Sequence, residues 1–185
     1  MNKLTVVLGF ALWSLSNTLG NPLRAEPRLT IPEFEGLAAK ANESVNITLD
    51  GALLNMAAQF LSADNADEAA AKEVLNGIIG IYIKSFSFDE PRAYAKSDID
   101  AVRKQLAAPG WSRLVEVRSR KEESDVDIYI SQIDGKANGL AIISSEPKEF
   151  TIVNIVGSVD LQKLRKLEGK MGVPKLELAA VDKKK

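Results

Sequence analysis

The spacing of apolar residues changes several times along the chain, and each change marks an element. Residues 44–49, SVNITL, alternate, which puts Val45, Ile47 and Leu49 on one face of a short strand. Asp50 is placed to cap the helix that follows, in which Leu53, Leu54, Ala57 and Leu61 recur at helical spacing. A second start signal at residues 64–67 opens an alanine-rich helix reaching Leu75. Glu68 and Lys72 are oriented for an i,i+4 pair on it, and Gly77 ends it. Residues 78–88, IIGIYIKSFSF, are β-branched and aromatic with apolar side chains on both faces, the signature of an interior strand. In the next helix Ser97 and Asp100 have capping-box spacing. Ile99, Val102 and Leu106 form its buried stripe, and Pro109-Gly110 stops it.

From Trp111 the pattern becomes a run of strands. Residues 112–120 and 125–131 are the first two, with Val126, Ile128 and Ile130 read as inward and Asp125, Asp127 and Tyr129 as outward. Asp134-Gly135 is a hairpin signal, because both central positions need positive φ. Residues 137–145 return, Pro147-Lys148 turn again, and residues 150–156 close the meander. A last helix carries Leu161, Leu164 and Leu167 and ends near Gly172, with Pro174 beyond. The economical packing is an α+β two-layer sandwich: one mostly antiparallel five- to six-stranded sheet with helices packed on one face. The expected divisions are an arm over residues 26–43 ending in a helical turn, one domain over 44–178, and a basic tail over 179–185.

The first 25 residues read differently. Lys3 precedes an apolar run over residues 4–15, and Ala25 supplies a small residue before a cut, the layout of a secretory signal. That run is shorter than the ~20 residues that span a bilayer. The expectation is an exported chain, periplasmic or extracellular, with no integral membrane segment after cleavage. Cleavage takes the basic count from 24 to 22 against 25 acids, a net charge of about −3, which argues against a nucleic-acid partner.

The composition adds two exclusions. The chain has no cysteine and no histidine. Lipoprotein anchoring, thiol redox chemistry, Ser-His-Asp and Cys-His nucleophiles, and nearly all zinc, copper and haem sites therefore fall away. Chemistry here would rest on carboxylates, lysine, tyrosine or hydroxyls.

Four features carry candidate chemistry. Gly157-Ser158-Val159-Asp160 lies where a strand becomes a helix, a place that can seat an anion. Asp160 in the first helical turn already answers the helix dipole and would repel that anion, so a structural cap is favoured. Glu122, Asp125 and Asp127 in EESDVD are the candidate metal ligands, with calcium the fitting cation. They also suit a solvated hairpin that guards a strand edge. Read as the two carboxylates of a glycosidase, they show no cleft between them. Lys163, Lys166 and Lys170, with Arg165 beside them, form a basic helix face suited to a lipid head group or an acidic partner. Glu168 and Asp160 interrupt it. Asn42-Glu43-Ser44 and Asn46-Ile47-Thr48 match a glycosylation sequon, and Trp111 is read as a plug of the core.

At GIYIKSFSFD, PGWSRLVEVRS and GLAIISSEPKEFTIVNIVGSVDLQKL the chain resembles the secreted bacterial proteins grouped as domain of unknown function 4252. The most specific part is Glu146-Pro147-Lys148-Glu149 leading into Val153-Asn154-Ile155-Val156-Gly157. Ser158 stands where the family often has proline, and many relatives carry a lipoprotein cysteine that this chain lacks. The resemblance implies a bacterial envelope address and supplies no catalytic residues. The leading expectation is thus a non-catalytic interaction or accessory module with an envelope protein as partner and no cofactor. A calcium or small-ligand module using residues 122–127 is the alternative, and a carboxylate-dependent hydrolase the weaker one.

Overall fold

The computed structural model describes residues 27–160 and Gln162. In chain order these form α1 (Glu35–Ala38), β1 (Glu43–Leu49), α2 (Gly51–Gln59), α3 (Ala66–Leu75) and β2 (Ile78–Ser87). Then come α4 (Lys96–Leu106), β3 (Trp111–Ser119), β4 (Ser124–Ile133), β5 (Lys136–Glu146) and β6 (Glu149–Gly157). The strands make one six-stranded antiparallel sheet in the order β1-β2-β6-β5-β4-β3. The four-strand meander and the α+β class agree with the apolar pattern. The sheet order adds that β2 pairs with β6, which closes the two halves of the chain onto each other.

The helices lie on both faces of this sheet, where cover on one face was expected. Alternation along β6 shows why. Phe150 and Ile152 join Phe86, Ala141, Ile143 and the α4 stripe of Ile99, Val102 and Leu106 in one core. Ile155, one step out of phase, packs with Leu140, Ile128, Leu54 of α2 and Val74 of α3 in the other. An interior strand that is apolar on both sides needs cover on both sides. The α4 face also receives α1 and the arm that precedes it, through Leu29 and Leu37. No helix among the described residues is long and apolar enough to cross a membrane.

The local signals translate well at most ends. Asp50 accepts the Leu53 N–H at 3.2 Å, and Asn65 accepts from Asp67 and Glu68 at 2.9 and 3.2 Å, capping α2 and α3. Glu68, expected beside Lys72, instead accepts the Ser62 N–H at 2.7 Å. The α4 cap sits two residues earlier than Ser97. Ala95 is the N-cap, and Asp98 reaches back to its N–H at 2.8 Å. Asp134 and Gly135 take φ 50° and 75°, as their hairpin requires. Gly157 has φ 125°, and a Cβ there would lie 2.5 Å from the Gly77 carbonyl, so only glycine fits this corner.

Candidate functional site

The β3–β4 hairpin carries charges that the alternation placed outward, into solvent. Asp125, Asp127 and Tyr129 do share a face, and α4 covers it. Asp127 is 0% exposed and Tyr129 is buried, which corrects the outward reading. Arg103 descends from the polar flank of the α4 stripe and reaches Asp127 Oδ2 with Nε at 2.8 Å and Nη2 at 2.5 Å. Arg118 on β3 reaches Oδ1 at 2.7 Å, and Arg113 Nε stands 3.9 Å from the same oxygen.

A bulge between Arg113 and Val115 completes the cluster. Alternation would send residues three apart to opposite faces. The extra residue resets the pleat, so Arg113 and Glu116 share the α4 face and pair at 2.8 Å. Glu116 also meets Arg118 at 2.9 Å, and Asp125 lies 3.6 Å from Arg118. Arg113 Nε donates to the Tyr129 hydroxyl at 3.1 Å. That contact first, and Glu116 second, raise the Arg113 guanidinium above its ordinary value.

Three guanidinium groups thus face Asp125, Asp127 and Glu116. Around Asp127 they occupy the directions from which a cation would approach, and its oxygens already accept charged hydrogen bonds. Glu122 stays exposed in the turn and does not join Asp125 and Asp127. Glu123 pairs instead with Arg92 at 2.8 Å. No group of three acids suited to a metal ion is found among the described residues. Such an arrangement neutralises buried charge and fixes the register of α4 on the sheet.

At the Gly157–Asp160 corner the free N–H groups are already engaged. Ser158 donates to Gly77 O at 2.6 Å and Val159 to Ala137 O at 3.2 Å, while Asp160 accepts from Gln162 at 3.0 Å. The cap function falls to Asp160, and the anion seat has no donors left at Ser158 and Val159. The basic face of Lys163, Arg165, Lys166 and Lys170 lies outside the described residues, as does the rest of the last helix. Of the sequon residues, Asn42 hydrogen-bonds Asp89 and Asn46 is exposed on β1. Trp111 packs half-buried against the α4 core, as a plug would.

A second polar constellation was not anticipated. Asn154, 0% exposed in β6, accepts the Leu29 N–H at 2.8 Å and donates to Pro27 O at 3.1 Å and Leu140 O at 3.3 Å. Gln105 of α4 exchanges two hydrogen bonds of 2.9 Å with the Thr30 backbone. Buried Lys84 reaches Glu33 at 2.6 Å and Pro32 O at 3.2 Å. Pro27 presses on Gly139, where any Cβ would lie 2.6 Å from its ring. Residues 27–33 are therefore strapped across the sheet by side chains from β2, α4 and β6. One signal for this was present: Asn154 is the polar member of the otherwise apolar set Phe150, Ile152, Val156.

Two clefts adjoin the strap. One of about 140 Å³ lies between it and β1, lined by Arg28, Glu33, Asn46, Tyr82 and Lys84. The other, about 470 Å³, is lined by Pro27, Ile133, Lys136, Asn138 and Ser158. Neither gathers two carboxylates with an unengaged base. Tyr94 stacks its ring on Phe150 and donates its hydroxyl to Glu146 O. Burial first, with the Glu146 and Asp125 charges adding, pushes its phenol above the ordinary value, so it keeps its proton.

One helix turns apolar side chains to solvent. Leu53, Met56 and Phe60 fall at i, i+3 and i+7 along one flank of α2, and Phe60 is 82% exposed. Among families, the model for a domain of unknown function (DUF4252) matches residues 38–167. No curated protein and no solved structure matches the chain.

Proposed function

The chain belongs to the DUF4252 family, and from that premise we propose that it is an exported, non-catalytic interaction or accessory module of a bacterial envelope. One observation carries the reading: the buried carboxylate of Asp127 is neutralised by arginines, while α2 presents an apolar flank at the surface. A catalytic carboxylate needs an unpaired partner group and a substrate cleft beside it. An exposed helix flank holding Leu53, Met56 and Phe60 instead suits contact with another protein. Export rests on the signal-like residues 1–25, which lie outside the described residues.

The test is a time-resolved screen of the full chain against ester, glycosidic and phosphate substrates. No turnover above background is the expected result. Turnover that a single carboxylate substitution abolishes would overturn the reading.

A further inference from the structure

The sheet has two edges, and they are built differently. The β3 edge carries Arg113, Glu116 and Arg118 and is interrupted by a bulge, the usual means of keeping an edge from pairing. The β1 edge has no bulge and one terminal charge. Its seven residues, ESVNITL, pair with β2 in unbroken register, and Glu43 at the end is the only charge. Among the described residues β1 is bonded on its β2 side alone. Its outer backbone N–H and C=O groups form a straight, uncharged row. Ile47 is 36% exposed beside it.

We propose that β1 pairs antiparallel with β1 of a second copy of this chain, joining two sheets into one of twelve strands. The sequence of β1 is self-complementary about its middle residue, Asn46, where all seven residues find a partner. With the two-fold axis at Asn46, Val45 lies opposite Ile47, Ser44 opposite Thr48, and Asn46 opposite its own copy. The alternation holds across the joint. Val45 and Ile47 of both copies meet on the α2 face, which gives β-branched pairs on one side. Ser44, Asn46 and Thr48 meet on the strap face, which gives hydroxyl and amide pairs on the other.

Charge supports the same register. Glu43 falls opposite Leu49, and Asp50 opposite Asn42, so no acid faces an acid. A shift by two residues keeps the alternation but leaves five of the seven residues opposed, and in one direction it places Glu43 opposite Ile47. The β3 edge offers no such solution, since its charges and bulge would have to be desolvated. The joint stands on the β1 edge and not on the exposed flank of α2, so it goes beyond the function proposed above and can fail without it.

Single-strand pairing buries an area at the low end for protein interfaces, so a dissociation constant of about 1–100 µM is expected. Sedimentation equilibrium of the full chain should show reversible dimers. Ile47→Lys, which puts a charge on the edge, should weaken them at least about tenfold while keeping a cooperative thermal melt. Because the chain has no cysteine, Asn46→Cys creates a single thiol on the axis. Directly opposed residues in an antiparallel pair have the separation a disulfide needs. Mild oxidation should therefore give a covalent dimer of Asn46→Cys, and far less from Val117→Cys on the exposed β3 edge. A chain that stays monomeric at about 100 µM overturns the proposal. So does equal crosslinking at the two positions, which reads out collision alone and needs no charge variant to fold.

Discussion

Asp127→Ala is expected to lower the unfolding free energy by about 3–5 kcal/mol, as a shifted denaturant midpoint in urea. The carboxylate is fully buried and holds Arg103 and Arg118 at 2.5–2.8 Å. Without it, Arg103 keeps a guanidinium under α4 with no counter-charge, and Arg118 keeps only its more exposed partners Glu116 and Asp125. The cost arises from the charge left behind, which exceeds the net worth of the pair itself. Glu122→Ala, in the exposed turn of the same hairpin, should change stability by no more than about 0.5 kcal/mol. Had the acids formed one solvated cluster, the two substitutions would behave alike.

Asn154→Ala should release the strap. It leaves the Leu29 N–H and the Pro27 and Leu140 carbonyls without their side-chain partner, at roughly 1–3 kcal/mol for each group that stays buried and unpaired. The chain can avoid part of that cost by letting residues 27–33 lift from the sheet. The expected readout is thus double: a lower denaturant midpoint, and protease cleavage within 27–33 that the parent chain resists. Asn154→Asp should do the same, because a carboxylate cannot donate to Pro27 and Leu140. Strap residues that remain protected in both variants would show that Gln105 and Lys84 hold the arm without Asn154.

The elements were legible because each is announced locally. Alternation and the Asp134-Gly135 turn fix the meander, and Ile99, Val102 and Leu106 fix the inner face of α4. What stayed hidden depends on which elements meet in space. Asp125, Asp127 and Tyr129 look outward on a hairpin considered alone, and only the arrival of α4 buries Asp127 and Tyr129. Nothing in WSRLVEVRS shows that one extra residue brings Arg113 and Glu116 to the same face. The two-sided cover was readable from β2, whose apolar residues on both faces already require it. Asn154 was readable too, as a polar residue on a strand face otherwise filled by Phe150, Ile152 and Val156.

At two of the four candidate features the polar groups are taken up by the fold itself. The Gly157–Asp160 corner has its donors engaged by Gly77 and Ala137, and the acidic hairpin has its innermost acid engaged by arginine. Two surfaces among the described residues, the α2 flank and the β1 edge, were present in the sequence as Leu53, Met56, Phe60 and SVNITL. Their exposure could not be read there, because a buried stripe and an exposed one have the same spacing.

The most direct measurement of the claim that the Asp127 centre is a clamp is a double-mutant cycle in urea with Asp127→Ala, Arg103→Ala and the pair. A clamp predicts that each single change destabilises, and that the pair costs less than the sum by about 0.5–3 kcal/mol. Residues kept for activity commonly persist at the expense of stability. An Asp127→Ala chain as stable as its parent, or more stable, would contradict the account.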